Sequence, residues 1–349
     1  MADGVSSMRV LVTGHNGYIG PVMLRVLQAA GHDCVGLDTD YFVGCEFEAA
    51  RAPCPELKVD IRDVEPKHLE GFDAIVHLAA LSNDPMGDIN DDWTYDINLR
   101  ATIKLAEYAK AAGVKRFVYA SSCSIYGSSG IAGFVDETAP FAPLTAYAIS
   151  KVKCEEALAA LAGPGFSPTY MRNATAFGAS PRLRVDIVLN NLCAWAVTTG
   201  KINIMSDGSP WRPVVHIEDI SRAVAAVLAA PVEVVHDQGF NVGLNSENYQ
   251  VRDIAGFVRA VVPEAEVTYA GGNNPDPRSY RVSFDKYAKA FPDFPLTWTV
   301  AAGARELVDA YRAHGLTLDE FQGRRYIRLK QIKHLIDTGL VDDSLRWTK

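Results

Sequence analysis

Tyr147 and Lys151, in TAYAISK, stand four residues apart. On a helix, positions i and i+4 share a face, so the ammonium would lie beside the phenol and favour its ionised form. A tyrosinate held in this way is a base for a hydroxyl proton. Ser121, Ser122 and Ser124 precede the pair in YASSCSIYG, at the end of an expected strand. Farther upstream, RVLVTGHNGYIG sets Gly14, Gly17 and Gly20 directly after the first expected strand and at the opening of a helix. Glycines there permit a tight turn, let backbone approach a pyrophosphate and let the helix lie close on the strand, while helix N–H groups meet phosphate oxygens. Asp38 ends the next strand, VGLD, about 20 residues farther on, the spacing of a ribose-binding acid. Its carboxylate can accept both ribose hydroxyls of an adenosine and would repel a 2′-phosphate, which favours NAD over NADP. Asp60 and Ile61, at the end of the third strand, could flank the adenine.

To converge, these groups need strands whose carboxyl ends meet along one edge. Short apolar, β-branched runs at 9–13, 34–37, 57–60, 74–78, 116–120 and 169–172 alternate with stretches of helical period. That alternation predicts an α/β fold, a Rossmann-type doubly wound parallel sheet. A helix over 21–30, with Pro21 in its first turn and Gly31 as its stop, follows the glycines, and another is expected over 93–112, closed by Gly113. After about residue 175 the pattern is mixed, with helices near 185–199, 218–230 and 251–261 and strands near 202–205, 214–216 and 239–242. The expected division is a core NAD-binding domain over 8–175, a smaller mixed α/β substrate domain mainly over 176–310 and a helical extension over 311–349. Residues 271–279, GGNNPDPRS, should be irregular. Residues 324–333 hold Arg324, Arg325, Arg328, Lys330 and Lys333 and no acid. This reads first as a solvated helix face, with an approach to substrate phosphates or a partner subunit as the alternative.

The chain has 349 residues, 48% of them hydrophobic and 22% charged, which suits a soluble enzyme of about two folded units. Its 34 Lys and Arg against 42 Asp and Glu give a net charge of −8, the wrong sign for broad contact with nucleic acid or anionic lipid. Six cysteines without a CxxC pair argue against a disulfide framework or a structural metal. No signal peptide or long apolar run is present, so the expected location is cytoplasmic.

TGHNGYIG, Asp38, DIRD, HLAA, YDIN, SSCSIYG and Tyr147-AIS-Lys151 occur in an order that resembles the extended short-chain dehydrogenase/reductase superfamily, in its nucleotide-sugar epimerase/dehydratase branch. The resemblance runs from about residue 8 to about 310. It implies that Gly14, Gly17 and Gly20 hold the NAD pyrophosphate, Asp38 the ribose, and Asp60 with Ile61 the adenine, with Asn16, Tyr18 and Ile19 also binding the cofactor. Leu78, Ala79 and Ala80 would line the dinucleotide cleft, and Asn98 would serve from the active-site helix. Lys151 would hold the nicotinamide ribose beside Tyr147, the acid/base, with Ser122 on the reacting hydroxyl. Ser82, Asn83, Ser124, Asn173, Thr175, Arg212, Arg278 and Tyr280 would border a nucleotide-diphosphate sugar. A homodimer built on the 93–112 and 147–162 helices is implied as well.

Thr175 stands where relatives carry an asparagine, and Pro213 where an aspartate is common, which leaves the nucleotide and sugar open. At 122–124, Ser-Cys-Ser lacks the two carboxylates with which a 4,6-dehydratase moves protons. Cys123 reads as a buried packing residue. The reaction that the resemblance then implies is inversion at C4 through a transient 4-keto sugar. A nucleotide-sugar 4-oxidoreductase or another dehydratase stands as the alternative, and a noncatalytic NAD-binding protein as the remote one.

Overall fold

The structure, a computed structural model, describes residues 7–47, 54–82, 90–127, 133–269 and 278–348. Seven strands form its main sheet: β1 (Arg9–Thr13), β2 (Asp33–Asp38), β3 (Glu56–Lys58), β4 (Ala74–His77), β5 (Arg116–Ser122), β6 (Ser167–Asn173) and β7 (Gln238–Val242). Their spatial order is β7-β6-β5-β4-β1-β2-β3, and each neighbouring pair is parallel. Val10, Leu11 and Val12 of the central strand are fully buried, as helices on both faces require. The order reverses between β1 and β4, which opens a crevice at the carboxyl ends of the strands.

Helix α1 (Gly20–Ala29) starts one residue before the expected boundary and carries Pro21 in its first turn. The helix expected over 93–112 comes in three parts: Asp91–Thr94, a π-helical turn over Tyr95–Arg100, and α2 (Ala101–Ala111). Such a bulge widens the helix locally and is common beside functional sites. Helix α3 (Ala146–Leu161) is capped by Thr145, whose hydroxyl accepts from the Ala148 N–H at 3.2 Å. The strand expected near 239–242 does not stay with the smaller domain. It completes the main sheet as β7, with Val242 opposite Asn173.

The remaining residues build a second core around α4 (Val188–Thr199), with Phe177, Leu192, Ile202, Val214 and Val258 at its centre. α5 (Ile217–Ala229) instead lies on the main-sheet core through Ile220, Val224 and Val227. After α6 (Arg328–Asp337) the chain is not helical, contrary to the expectation for the extension. Gly339 takes a left-handed φ of 66°, and Asp342 accepts the N–H groups of Ser344 and Arg346, so the end of the chain turns back and Trp347 pairs with Val341. All six cysteines are free. Among the described residues, no helix is long and apolar enough to cross a membrane.

Candidate functional site

The crevice is a cleft of about 960 Å³. Its floor is the turn after β1. Gly14 has φ +73°, its N–H donates to Leu37 O at 2.8 Å, and a Cβ there would lie 2.7 Å from Ala79 N. A Cβ on Gly20 would lie 2.2 Å from His15 O. Both glycines are thus required by close backbone approach, and they leave a shallow cradle at the start of α1. Gly17, Tyr18 and Ile19 also face the cleft, while the Tyr18 hydroxyl donates to Gly178 O at 2.7 Å and so ties the cradle to the second core.

Asp38 closes the cradle on the β2 side. Its carboxylate accepts the Asn16 N–H at 3.0 Å and the Asp40 N–H at 2.9 Å, and burial raises its pKa above the ordinary carboxylate value. A bound ribose hydroxyl would give this buried carboxylate a further donor. Asp60 and Ile61 lie farther along the same wall. Burial opposes the charge of Asp60, yet Arg62, donating from Nε at 2.9 Å and Nη2 at 2.7 Å, holds its carboxyl below the usual range.

At the other end of the cleft, the i, i+4 spacing on α3 brings Tyr147 and Lys151 together, with the Lys151 Nζ 5.4 Å from the phenol ring centroid. Burial pushes the ammonium pKa down to about 8, and Nζ donates to Ala120 O at 2.6 Å. Ser122 ends β5 in register with Asn173 at the end of β6, and both line the cleft. The hydroxyl of buried Ser124 and the amide oxygen of buried Asn173 have no partner among the described residues, so this end presents polar atoms that a hydroxyl-rich ligand could satisfy. Cys123 points elsewhere: its thiol reaches Arg172 O at 3.1 Å and burial raises its pKa, in keeping with a packing residue.

Leu78, Ala79, Ala80 and Ser82 border the cleft after β4, and Thr175, Arg212, Arg278 and Tyr280 border it from the opposite side. Arg212 donates to the carbonyl oxygens of Trp211 and Arg278, which joins the two arginine-bearing segments. Two expected cofactor residues lie outside the lining. Asn16 stands behind Asp38, its side-chain amide on Asp40 at 2.6 Å, and Asn98 is buried with its amide spent on both backbone groups of Leu81, at 2.8 and 2.9 Å. Both position the wall rather than face the cleft. Asn83 and residues 271–277 of the expected irregular stretch lie outside the described residues. Sequence reasoning missed Tyr41, Phe42, Arg184 and Asp186, and it read Arg328 first as solvated. Arg184 lines the cleft, pairs with Asp186 at 2.9 Å and donates to Ser82 Oγ at 2.9 Å. Arg328 is 4% exposed and lines the cleft too.

Residues 10–243 match the NAD dependent epimerase/dehydratase family. The chain belongs to this family. A UDP-glucose 4-epimerase of Corynebacterium glutamicum is 28% identical over 271 residues, covering 73% of this chain and 80% of the relative. A UDP-glucose 4-epimerase of Streptomyces lividans is 28% identical over 276 residues, covering 73% and 81%. Among solved structures, the UDP-glucuronic acid 4-epimerase of Bacillus cereus in complex with UDP-glucuronic acid and NAD aligns over 88% of this chain and 99% of its own, with TM-score 0.76 and 21% identity. The NAD-dependent NDP-hexosamine 5,6-dehydratase TunA aligns over 88% and 98%, with TM-score 0.76 and 22% identity, so one fold carries both reaction types. The family's cofactor, NAD, suits the residues present: the cradle at Gly14 and Gly20 leaves no room for a side chain, and the buried Asp38 carboxylate stands beside it.

Proposed function

We propose that the chain is a nucleotide-sugar 4-epimerase, inverting C4 through a 4-keto sugar. The observation that carries this reading is the Tyr147–Lys151 pair, which lines the cleft together with Ser122, with no unengaged carboxylate among the described residues of that lining. Asp38 accepts two backbone N–H groups, Asp60 is held by Arg62, and Asp186 is ion-paired with Arg184. Burial opposes the charge on Asp186, but Arg184 keeps its carboxyl below the ordinary range, a poor state for an acid that must deliver a proton in an elimination. When bound, NAD supplies the hydride acceptor and donor. Tyr147 takes the C4 hydroxyl proton and later returns it, and the Ser122 hydroxyl bridges the two oxygens. Lys151 keeps a positive charge beside the phenol and so favours its ionised form. Arg212 and Arg278 hold the diphosphate by charge-assisted hydrogen bonds, so the nucleotide stays anchored while the sugar ring turns over.

The UDP-glucose 4-epimerases among the relatives make UDP-glucose and UDP-galactose the first substrates to try, with UDP-glucuronate, the substrate of the Bacillus cereus neighbour, beside them. Purified protein with no added cofactor, followed by proton NMR, should convert one of these to its C4 diastereomer. A product lighter by one water, or turnover that requires stoichiometric NAD or NADH, would replace this reading by a dehydratase or a net oxidoreductase. We also propose a homodimer through the Asp91–Ala111 region and α3, as the family resemblance implies. Light scattering that gives the mass of one chain would refute it.

A further inference from the structure

Arg328 comes from the C-terminal extension, outside the residues 10–243 that carry the family match. It is the first residue of α6, buried to 4% exposure, and it reaches the cleft. Its guanidinium lies 4.1 Å from the ring centroid of Phe42, and Nη2 donates to Arg182 O at 2.8 Å. Nη1 is buried and has no partner among the described residues. A buried donor of a charged group left in that state is costly unless a ligand completes it.

The surroundings say what kind of ligand. Burial, and after it the like charge of Arg184, lowers the Arg328 pKa to about 9, with Asp186 opposing and Arg182 adding to the effect. Arg182 is itself paired with Glu46 at 2.9 Å, and Arg184 with Asp186. Among the described residues, three buried guanidinium groups therefore share two carboxylates. The deficit is anionic, and planar guanidinium forks suit phosphate oxygens.

Position decides which anion. Phe42 follows Asp38 by four residues on the loop leaving β2. Arg182 follows Ser180, whose hydroxyl donates to Tyr18 O in the glycine-rich turn at 2.7 Å. Arg328 is thus fixed between the two segments that flank the phosphate cradle. Arg184, within electrostatic reach of both Arg328 and Tyr147, continues the cationic wall toward the sugar end. The same extension also borders the adenosine wall: Arg346 and Trp347 line a cavity of about 540 Å³ with Asp38, Thr39 and Asp60, and the Trp347 indole donates to Thr39 O at 2.6 Å.

We propose that the C-terminal extension clasps the dinucleotide, with Arg328 as a pyrophosphate-binding residue of the NAD site. The inference rests on the family's NAD site and not on which carbon is inverted.

The test is NAD binding by the full chain stripped of nucleotide, measured calorimetrically without any sugar nucleotide. R328Q should bind both NAD and ADP-ribose about 30-fold more weakly or worse, as expected for the loss of a buried charge-assisted contact. R328K should recover part of the loss. NAD and ADP-ribose affinities within about threefold of wild type would overturn the proposal. So would intact NAD binding with a selective loss of UDP-glucuronate, which would assign the arginine to a substrate carboxylate. A second readout needs no variant: in the wild-type chain, ADP-ribose should slow amide exchange across residues 323–333, and unchanged exchange there would overturn the clasp. Loss of NAD affinity in R328Q with no epimerase activity in wild type would leave the clasp standing and refute the functional reading instead.

Discussion

Tyr147→Phe removes one oxygen and leaves the ring, so it separates acid/base chemistry from packing. We expect turnover to fall by about 10²–10⁴-fold with the unfolding midpoint nearly unchanged, measured by initial rates and by thermal denaturation. In the proposed mechanism Lys151 sets a pH limit at the same place. Its pKa is pushed down from 10.5 to about 8 by burial. The charged form that supports the phenolate is present below that value and lost above it, so kcat/KM should decline as pH rises through about 8, and a flat profile to pH 10 would contradict the role. These residues were legible because their chemistry lies in local spacing: four residues between Tyr147 and Lys151, three between successive glycines, one acid at the end of β2. Arg184 and Arg328 were not. Arginine is seldom buried, and Arg328 packs against Phe42 and Arg182, both far away in the chain. A run of cations without acids carries no mark of that contact.

The helix over Asp91–Ala111 and the strand β4 show how elements hold the wall of the cleft. His77 is buried, with Nδ1 2.6 Å from Thr13 Oγ1 and Nε2 2.8 Å from Thr102 Oγ1. The Thr102 hydroxyl donates to Asn98 O at 2.7 Å, so it accepts from the ring, and Nε2 carries the proton of a neutral imidazole. Burial, helped by the Lys151 charge, lowers the His77 pKa to about 3. Below pH 6.5 the unfolded chain takes up a proton that the folded chain refuses, so this stabilisation is complete above 6.5 and is lost as pH falls toward 3. The stability gap between wild type and H77Q, from urea unfolding, should narrow by about 2 kcal/mol between pH 6.5 and 5. Periodicity placed β1 at its observed bounds and the other five expected sheet strands within two residues of theirs. It could not show that Tyr95–Arg100 forms a π turn, because that depends on how the Asn98 amide meets the backbone of Leu81. Nor could it assign β7, since a short apolar strand reads alike in either sheet.

In the whole molecule, the cleft lies where the main sheet, the second core and the C-terminal extension meet. Arg62 illustrates the junction: it holds Asp60 and also donates to Ser344 O at 2.6 Å and Leu345 O at 2.9 Å. The Asp60 side of the cleft and the end of the chain therefore share one guanidinium. Arg62→Ala should loosen both, giving a chain that retains less NAD on purification and is cut faster by protease beyond residue 337, while intact retention and resistance would show the junction to be inert. The doubly wound architecture was legible from alternating strands and helices, whereas the return of the extension onto the cleft depends on contacts across some 280 residues of chain and leaves no periodic trace.

In the proposed reaction the hydrogen that leaves C4 comes back to C4 of the same sugar. The most direct measurement follows a nucleotide sugar bearing deuterium at C4 through the reaction in ordinary water, by NMR and mass spectrometry. Both diastereomers should keep the label at C4. Washout of the label into solvent, or its appearance at C6 of a dehydrated product, would contradict it.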